Sequence, residues 1–212
     1  MKTEDLINVL SLDAGPRPSV PGRLAFIAGL GACAAFALLA AWLGFRPDIG
    51  HAVTTPMFWM KAGYTLALGL AGYGCAERLS RPIGSPRRAV MLALALFVLV
   101  AGLGFWQFMR AAPDDQMPML MGKSWRVCPR NIIALSLPSL AVALVVVRGL
   151  APTRLALAGA AAGLFAGGVA ATIYGLHCPE HSLVFVAVWY SLGVGLVAAL
   201  GAALGPWALR WR

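Results

Sequence analysis

The chain has 212 residues, of which 60% are hydrophobic and only 12% charged, with a mean hydropathy of +0.78. Soluble domains carry about 25% charged residues, so this chain has too few charges to cover a globular surface, and an ordinary water-soluble domain is excluded. The net charge of +9 would suggest a nucleic-acid partner in a soluble protein; here the basic residues gather in short stretches between apolar runs, where they read as topology signals and headgroup contacts, with no direct nucleic-acid contact.

Residues 1–22 form a tail. Thr3 is a candidate N-cap, followed by Glu4 and Asp5 in the first turn, where the helix dipole favours acidic side chains. Leu6, Ile7 and Leu10 fall on one helical face with Val9 at its margin, and Gly15 and Pro16 end the pattern. An isolated helix of about ten residues is marginal in water, so this segment needs a surface to dock on. Its face carries Glu4, Asp5, Asn8 and Asp13 against Lys2, a poor match for an anionic leaflet and a better one for a protein groove. The acidic residues also make this leader unlike a secretion signal.

Six apolar runs fill residues 23–212, and a bilayer core needs roughly 20 helical residues per crossing. The expected spans are Leu24–Leu43, Met57–Ala76, Ala89–Met109, Asn131–Val147, Leu155–Leu176 and Ser182–Leu209. The second contains Lys61, placed one turn from its end and expected to snorkel outward; the fourth contains Pro138. Cys33 and Cys75 lie inside the first two spans as small apolar residues. Gly159, Gly163 and Gly167 repeat every four residues, as do Gly201 and Gly205, a spacing that serves close helix packing or a homodimer face. Eleven Lys and Arg fall on the side of the termini and the 77–88 and 148–154 loops, and six on the other. The bias puts both termini in the cytoplasm. The expected architecture is an all-α, six-helix transmembrane bundle with a short cytoplasmic N-terminal helix.

The outer side holds His51, His177 and His181 together with Cys128 and Cys178. The run His177-Cys178-Pro179-Glu180-His181 places thiol, imidazole and carboxylate donors within five residues. Two thiols facing an oxidising compartment can pair as a disulfide, and thiolate with imidazole suits soft or borderline metal ions; ordinary loop polarity is the third reading. No span contains Asp or Glu, which counts against a proton- or ion-coupled transporter. Phosphate-binding, metalloprotease and nucleophile-elbow motifs are absent, and no catalytic set emerges. A membrane thiol–disulfide oxidoreductase and a metal or small-molecule transporter stand as the rival readings.

Several segments carry a family resemblance: Asp5-Leu6-Ile7, Ser124-Trp125-Arg126 with Cys128, Ala151-Pro152-Thr153, Leu176-His177-Cys178-Pro179-Glu180, Trp189-Tyr190 and Leu209-Arg210-Trp211. Together they span nearly the full chain, which resembles the NrsF-type membrane anti-sigma factors, negative regulators of extracytoplasmic-function sigma factors of the SigF type. The resemblance implies a non-enzymatic sensor in the bacterial inner membrane that withholds a sigma factor from RNA polymerase. It requires no cofactor, with a heavy-metal ion or an oxidant acting at two outer cysteines; by motif these are Cys128 and Cys178. Leu6, Ile7, Leu10 and Val9 would then contact the sigma factor; His51, His177, Glu180 and His181 are candidate metal donors from the residue types alone.

Overall fold

The computed structural model describes residues 20–80, 84–150 and 152–210, together with Glu4. The tail positions Leu6, Ile7, Val9 and Leu10 lie outside the described residues. All regular structure among the described residues is helical. In chain order the elements are α1 (Val20–Leu38, prolonged by a π-helical turn over Leu39–Leu43), α2 (Ile49–Ala52), α3 (Pro56–Leu79), α4 (Arg87–Arg110), α5 (Pro113–Met121), α6 (Cys128–Arg148), α7 (Leu155–Tyr174) and α8 (Leu183–Ala208, with a π-helical turn over Val186–Tyr190).

Local chemistry sets many of these boundaries. Proline stands in the first turn of α3, α5 and α6, where its missing N–H costs nothing because no acceptor is available there. Gly44 (φ 72°) closes the π turn of α1 and Gly122 (φ 54°) closes α5, both in the left-handed region that favours glycine.

Helix α7 is the hub, packed against α8, α3 and α6; α1 lies on α6, and α4 lies outside, against α3 and the start of α8. The glycine repeats explain how one helix holds two close neighbours. On one flank of α7, Gly159 and Gly163 meet Gly201 and Gly205 of α8. A Cβ added to Gly159 would lie 2.9 Å from the Gly205 Cα, and one on Gly163 would lie 2.7 Å from the Ala198 Cα. On the other flank Gly168 meets Gly69 of α3, and Gly72 meets the backbone of Leu164 and Phe165. These small residues let backbones touch, so dispersion contacts substitute for the hydrophobic drive that is missing between helices in lipid. Both glycine repeats of the sequence are therefore spent within one chain.

Two clusters of buried side chains divide the interior. Around the Arg148 end are Cys75, Leu79, Leu144, Val147, Phe165 and Leu209. Around the Cys128 end are Leu39, Tyr64, Ile132, Tyr174, Cys178, Phe185 and Tyr190. Among the described residues, four helices are long and apolar enough to cross a membrane: α4, α6, α7 and α8. Helix α4 is the most telling, since Val98, Leu99, Phe105 and Trp106 all stand exposed and only Gly104 on it is buried. So uncovered an apolar helix suits lipid and not water. Helix α3 has the length, 24 residues, but also carries Lys61, Glu77 and Arg78, while the described apolar stretch of α1, Gly29–Leu43, is shorter.

Candidate functional site: a buried thiol cluster under a cationic clip

Cys128 opens α6 and Cys178 lies four residues beyond the end of α7, and the fold brings both into one cluster at the same end of the bundle. Neither thiol has any solvent exposure, and both are free. Tyr174 and Tyr190 wall the cluster, their ring centroids 5.8 Å apart, and both rings are buried. The Ser124 hydroxyl lies 3.7 Å from the Cys178 sulfur.

The loop after α7 is tied down residue by residue. His177 Nδ1 donates to the Gly44 carbonyl (3.0 Å), and its ring leans on Tyr174 with centroids 5.7 Å apart. The Glu180 carboxylate accepts from the backbone N–H groups of Lys123 (2.7 Å) and Ser124 (3.1 Å) and from the Ser124 hydroxyl (3.1 Å), which fastens the α5–α6 connection to this loop. Gly122 leaves room for that carboxylate: a Cβ there would press into the Glu180 side chain. His181 Nε2 lies 3.2 Å from Arg46 Nη2. A guanidinium only donates, so Nε2 accepts and His181 is neutral. Burial, then the nearby cations Arg46 and Lys61, hold its pKa below the usual histidine value.

Two cations converge on this loop. Lys61 of α3 donates to the carbonyls of Cys178 (3.0 Å) and Glu180 (3.2 Å) and sits over the Tyr190 ring at 5.6 Å from its centroid. Arg46, in the segment between α1 and α2, donates to the same Cys178 carbonyl (3.3 Å). It also makes a two-pronged ion pair with Asp48 at 2.7 and 2.6 Å. That hydrogen-bonded pairing raises the Arg46 pKa and lowers that of Asp48 to about 2. The depressed Asp48 value adds stability above the ordinary carboxylate range, and this is lost as pH falls through about 2.

This geometry corrects one expectation and narrows another. Lys61 does not snorkel outward. It is 2% exposed and turns into the bundle, because two main-chain carbonyls and an aromatic face offer it better solvation than the apolar exterior of α3. The donor set His51, His177, Glu180 and His181 is not assembled. His51 stands exposed on α2, the other three are committed to the separate partners described above, and among the described residues no three His, Cys, Asp or Glu side chains are grouped to hold a metal ion. Cys33 is exposed on α1, whereas Cys75 is buried at the far end of the bundle.

Segments far apart in sequence meet here. Trp125 packs on Trp189 with centroids 5.2 Å apart, Trp189 Nε1 donates to the Leu120 carbonyl (2.9 Å), and Ser124 touches both Cys178 and Glu180. Sequence reasoning overlooked Arg46 and the buried role of Lys61. The available signal was a lysine inside an otherwise apolar run with an arginine just outside the preceding one.

Comparison with known proteins agrees with this convergence of motifs. The family model described as "NrsF: Negative regulator of sigma F" matches residues 10–211. The "Anti-sigma-F factor NrsF" of Caulobacter vibrioides (strain NA1000 / CB15N) is 52% identical over 215 residues, and the "Probable anti-sigma-F factor NrsF" of Azospira oryzae (strain ATCC BAA-33 / DSM 13638 / PS) is 43% identical over 214; each comparison covers 100% of both chains. No solved structure matches. By full-length likeness, the chain belongs to the NrsF family of negative regulators of sigma F.

Proposed function

We propose that this chain is a membrane-bound anti-sigma factor that holds an extracytoplasmic-function sigma factor at the bacterial inner membrane and releases it when Cys128 and Cys178 are modified. The observation that carries the anti-sigma role is the end-to-end likeness to anti-sigma-F factors, tail included. In this reading α1 and α3 join the four strongly apolar helices as spans, both termini are cytoplasmic, and the 177–181 loop faces outward. The tail docks through Leu6, Ile7 and Leu10, with Val9 at the edge, in a groove of the sigma factor. Burial of three aliphatic side chains supplies roughly 5–8 kcal/mol before ordering costs.

The sensing half is supported by the burial of two free thiols together at one end of the bundle. The signal is a soft metal ion bound by the two sulfurs, or an oxidant that takes two electrons and two protons as they close to a disulfide. Either outcome disturbs the packing between the start of α6 and the end of α7. A tenfold loss of sigma affinity requires a coupling of about 1.4 kcal/mol, less than a typical disulfide contributes, about 2–4 kcal/mol.

Co-purification in mild detergent tests the first half. A small sigma factor accompanies the wild-type chain and is missing with Leu6→Asp, Ile7→Asp, Leu10→Asp; its retention by that variant refutes tail docking. For the second half, Cys128→Ser with Cys178→Ser retains the sigma factor under heavy-metal or oxidant stress. Normal release from the double variant overturns thiol sensing.

A further inference from the structure

We propose that Lys61, assisted by Arg46, is a positioning residue that gates the two thiols: its contacts with the 177–181 loop hold Cys178 inside the bundle, and loosening them admits reagents to the cluster. The cysteine Cα and thiol are fixed through the main chain. The Cys178 carbonyl accepts from Lys61 at 3.0 Å and from Arg46 at 3.3 Å, so cations on two separate chain segments clamp one peptide. Lys61 also reaches the Glu180 carbonyl, two residues further along the loop, at 3.2 Å, and the Glu180 side chain holds the Lys123–Ser124 turn that roofs the Cys178 sulfur. One ammonium thereby ties α3 to the loop after α7 and, through Glu180, to the approach to α6.

Stability alone does not call for this arrangement. Burying an ammonium carries a desolvation penalty, whereas burying an apolar side chain is favourable, and well-packed apolar replacements of buried ions are often neutral or stabilising. An apolar residue at 61 could still pack on the Tyr190 ring that Lys61 covers. What it could not do is hold the loop: Glu180 would lose its carbonyl partner and Cys178 would keep only Arg46. Both cysteines have no exposure, so access and not exposed surface decides whether they react. The clip therefore sets the threshold of the sensor. Its biological meaning rests on the thiol-sensing reading, but its test does not.

The test uses the full chain in mild detergent with Cys33→Ser, which removes the exposed thiol, and follows maleimide labelling of each remaining cysteine by peptide mass spectrometry. Loss of one charge-assisted hydrogen bond shifts a local opening equilibrium by about tenfold or more. Lys61→Met is expected to label Cys178 about tenfold faster or more, with Cys128 following, while Cys75 in the other buried cluster keeps its rate. Arg46→Gln, which leaves Lys61 in place, gives a smaller rise at Cys178 and carries the test if Lys61→Met does not fold. An unchanged Cys178 rate in the folded variant overturns the proposal, and so does a Cys75 rate that rises in step, since that is general loosening. If Cys178 opens selectively but the variant releases its sigma factor under stress no more readily than wild type, the gate stands and the thiol-sensing reading falls.

Discussion

Replacing Gly201 by alanine adds one methyl group at the tightest crossing in the molecule. The new Cβ would point at the Gly159 carbonyl and stand 3.0 Å from the Gly159 carbonyl carbon and 3.1 Å from the Gly163 Cα. All three are backbone atoms of α7, so no side chain can rotate aside, and α7 and α8 must part by roughly half an ångström to one ångström to restore ordinary contact. Overpacking of this kind costs about 1–3 kcal/mol. At about 2–4 °C per kcal/mol for a chain of this size, the expected fall in Tm is about 2–12 °C. The matched control is Gly102→Ala on α4, where nothing lies within 4 Å of the added methyl group. There the better helix propensity of alanine makes the change neutral or stabilising by up to about 1 kcal/mol. Both variants are compared with wild type by thermal unfolding in one detergent, followed by circular dichroism. Equal Tm values for Gly201→Ala and Gly102→Ala would refute the argument that the glycine repeats mediate packing within the chain. Size-exclusion light scattering on the same samples asks whether Gly201→Ala changes the oligomeric state, which packing within one chain does not require.

Glu180→Gln removes the charge from three hydrogen bonds that fasten the α5–α6 connection and is expected to cost about 1–2 kcal/mol, read as a lower Tm and as faster amide exchange at Lys123 and Ser124. Gly122→Ala combines a strained φ with a methyl group against Glu180, so it should raise exchange at the same two amides. His181 is held below its ordinary pKa and binds fewer protons folded than unfolded, so stability falls as pH drops through the unfolded value near 6.5 and levels off once the folded side chain is also charged. Tm measured from about pH 7.5 to about 5.5 should decline for wild type and decline less for His181→Gln; equal slopes would show that His181 is not the titrating group.

The helices of the bundle were legible because apolar length is a strong signal, and the glycine spacing correctly marked the α7–α8 crossing. The spacing could not say whether that crossing lay within one chain or between two, since both use the same close approach. Cys128 and Cys178 stood out in the sequence as the two thiols on the outer side, and their shared cluster follows from α6 and α7 packing side by side. The five-residue run around Cys178 was less transparent. Donor density in sequence suggested a metal set, but a loop turns successive side chains in different directions, and His177, Glu180 and His181 each found a different neighbour. Lys61 was misread for a related reason. Position along a helix tells how far a side chain is from the membrane surface, but not which way it faces, and the carbonyls that solvate it come from residues 117 and 119 positions away.

The π-helical turn at the head of α8 has a consequence for what that helix can display. Phe185 and Tyr190 are five residues apart and both fully buried. In a regular α-helix, residues five apart point about 140° away from each other, because each step turns about 100°. The wider turn brings them back toward one direction, and below it Val194, Val197, Gly201 and Gly205 follow the ordinary spacing of three and four. Helix α8 therefore presents aromatic rings to the cysteines and a smooth groove to α7 from the same side, with one surplus residue as the phase correction between them. Deleting a single residue from Val186–Tyr190 would remove that correction, and the two halves of the helix could no longer both meet their neighbours.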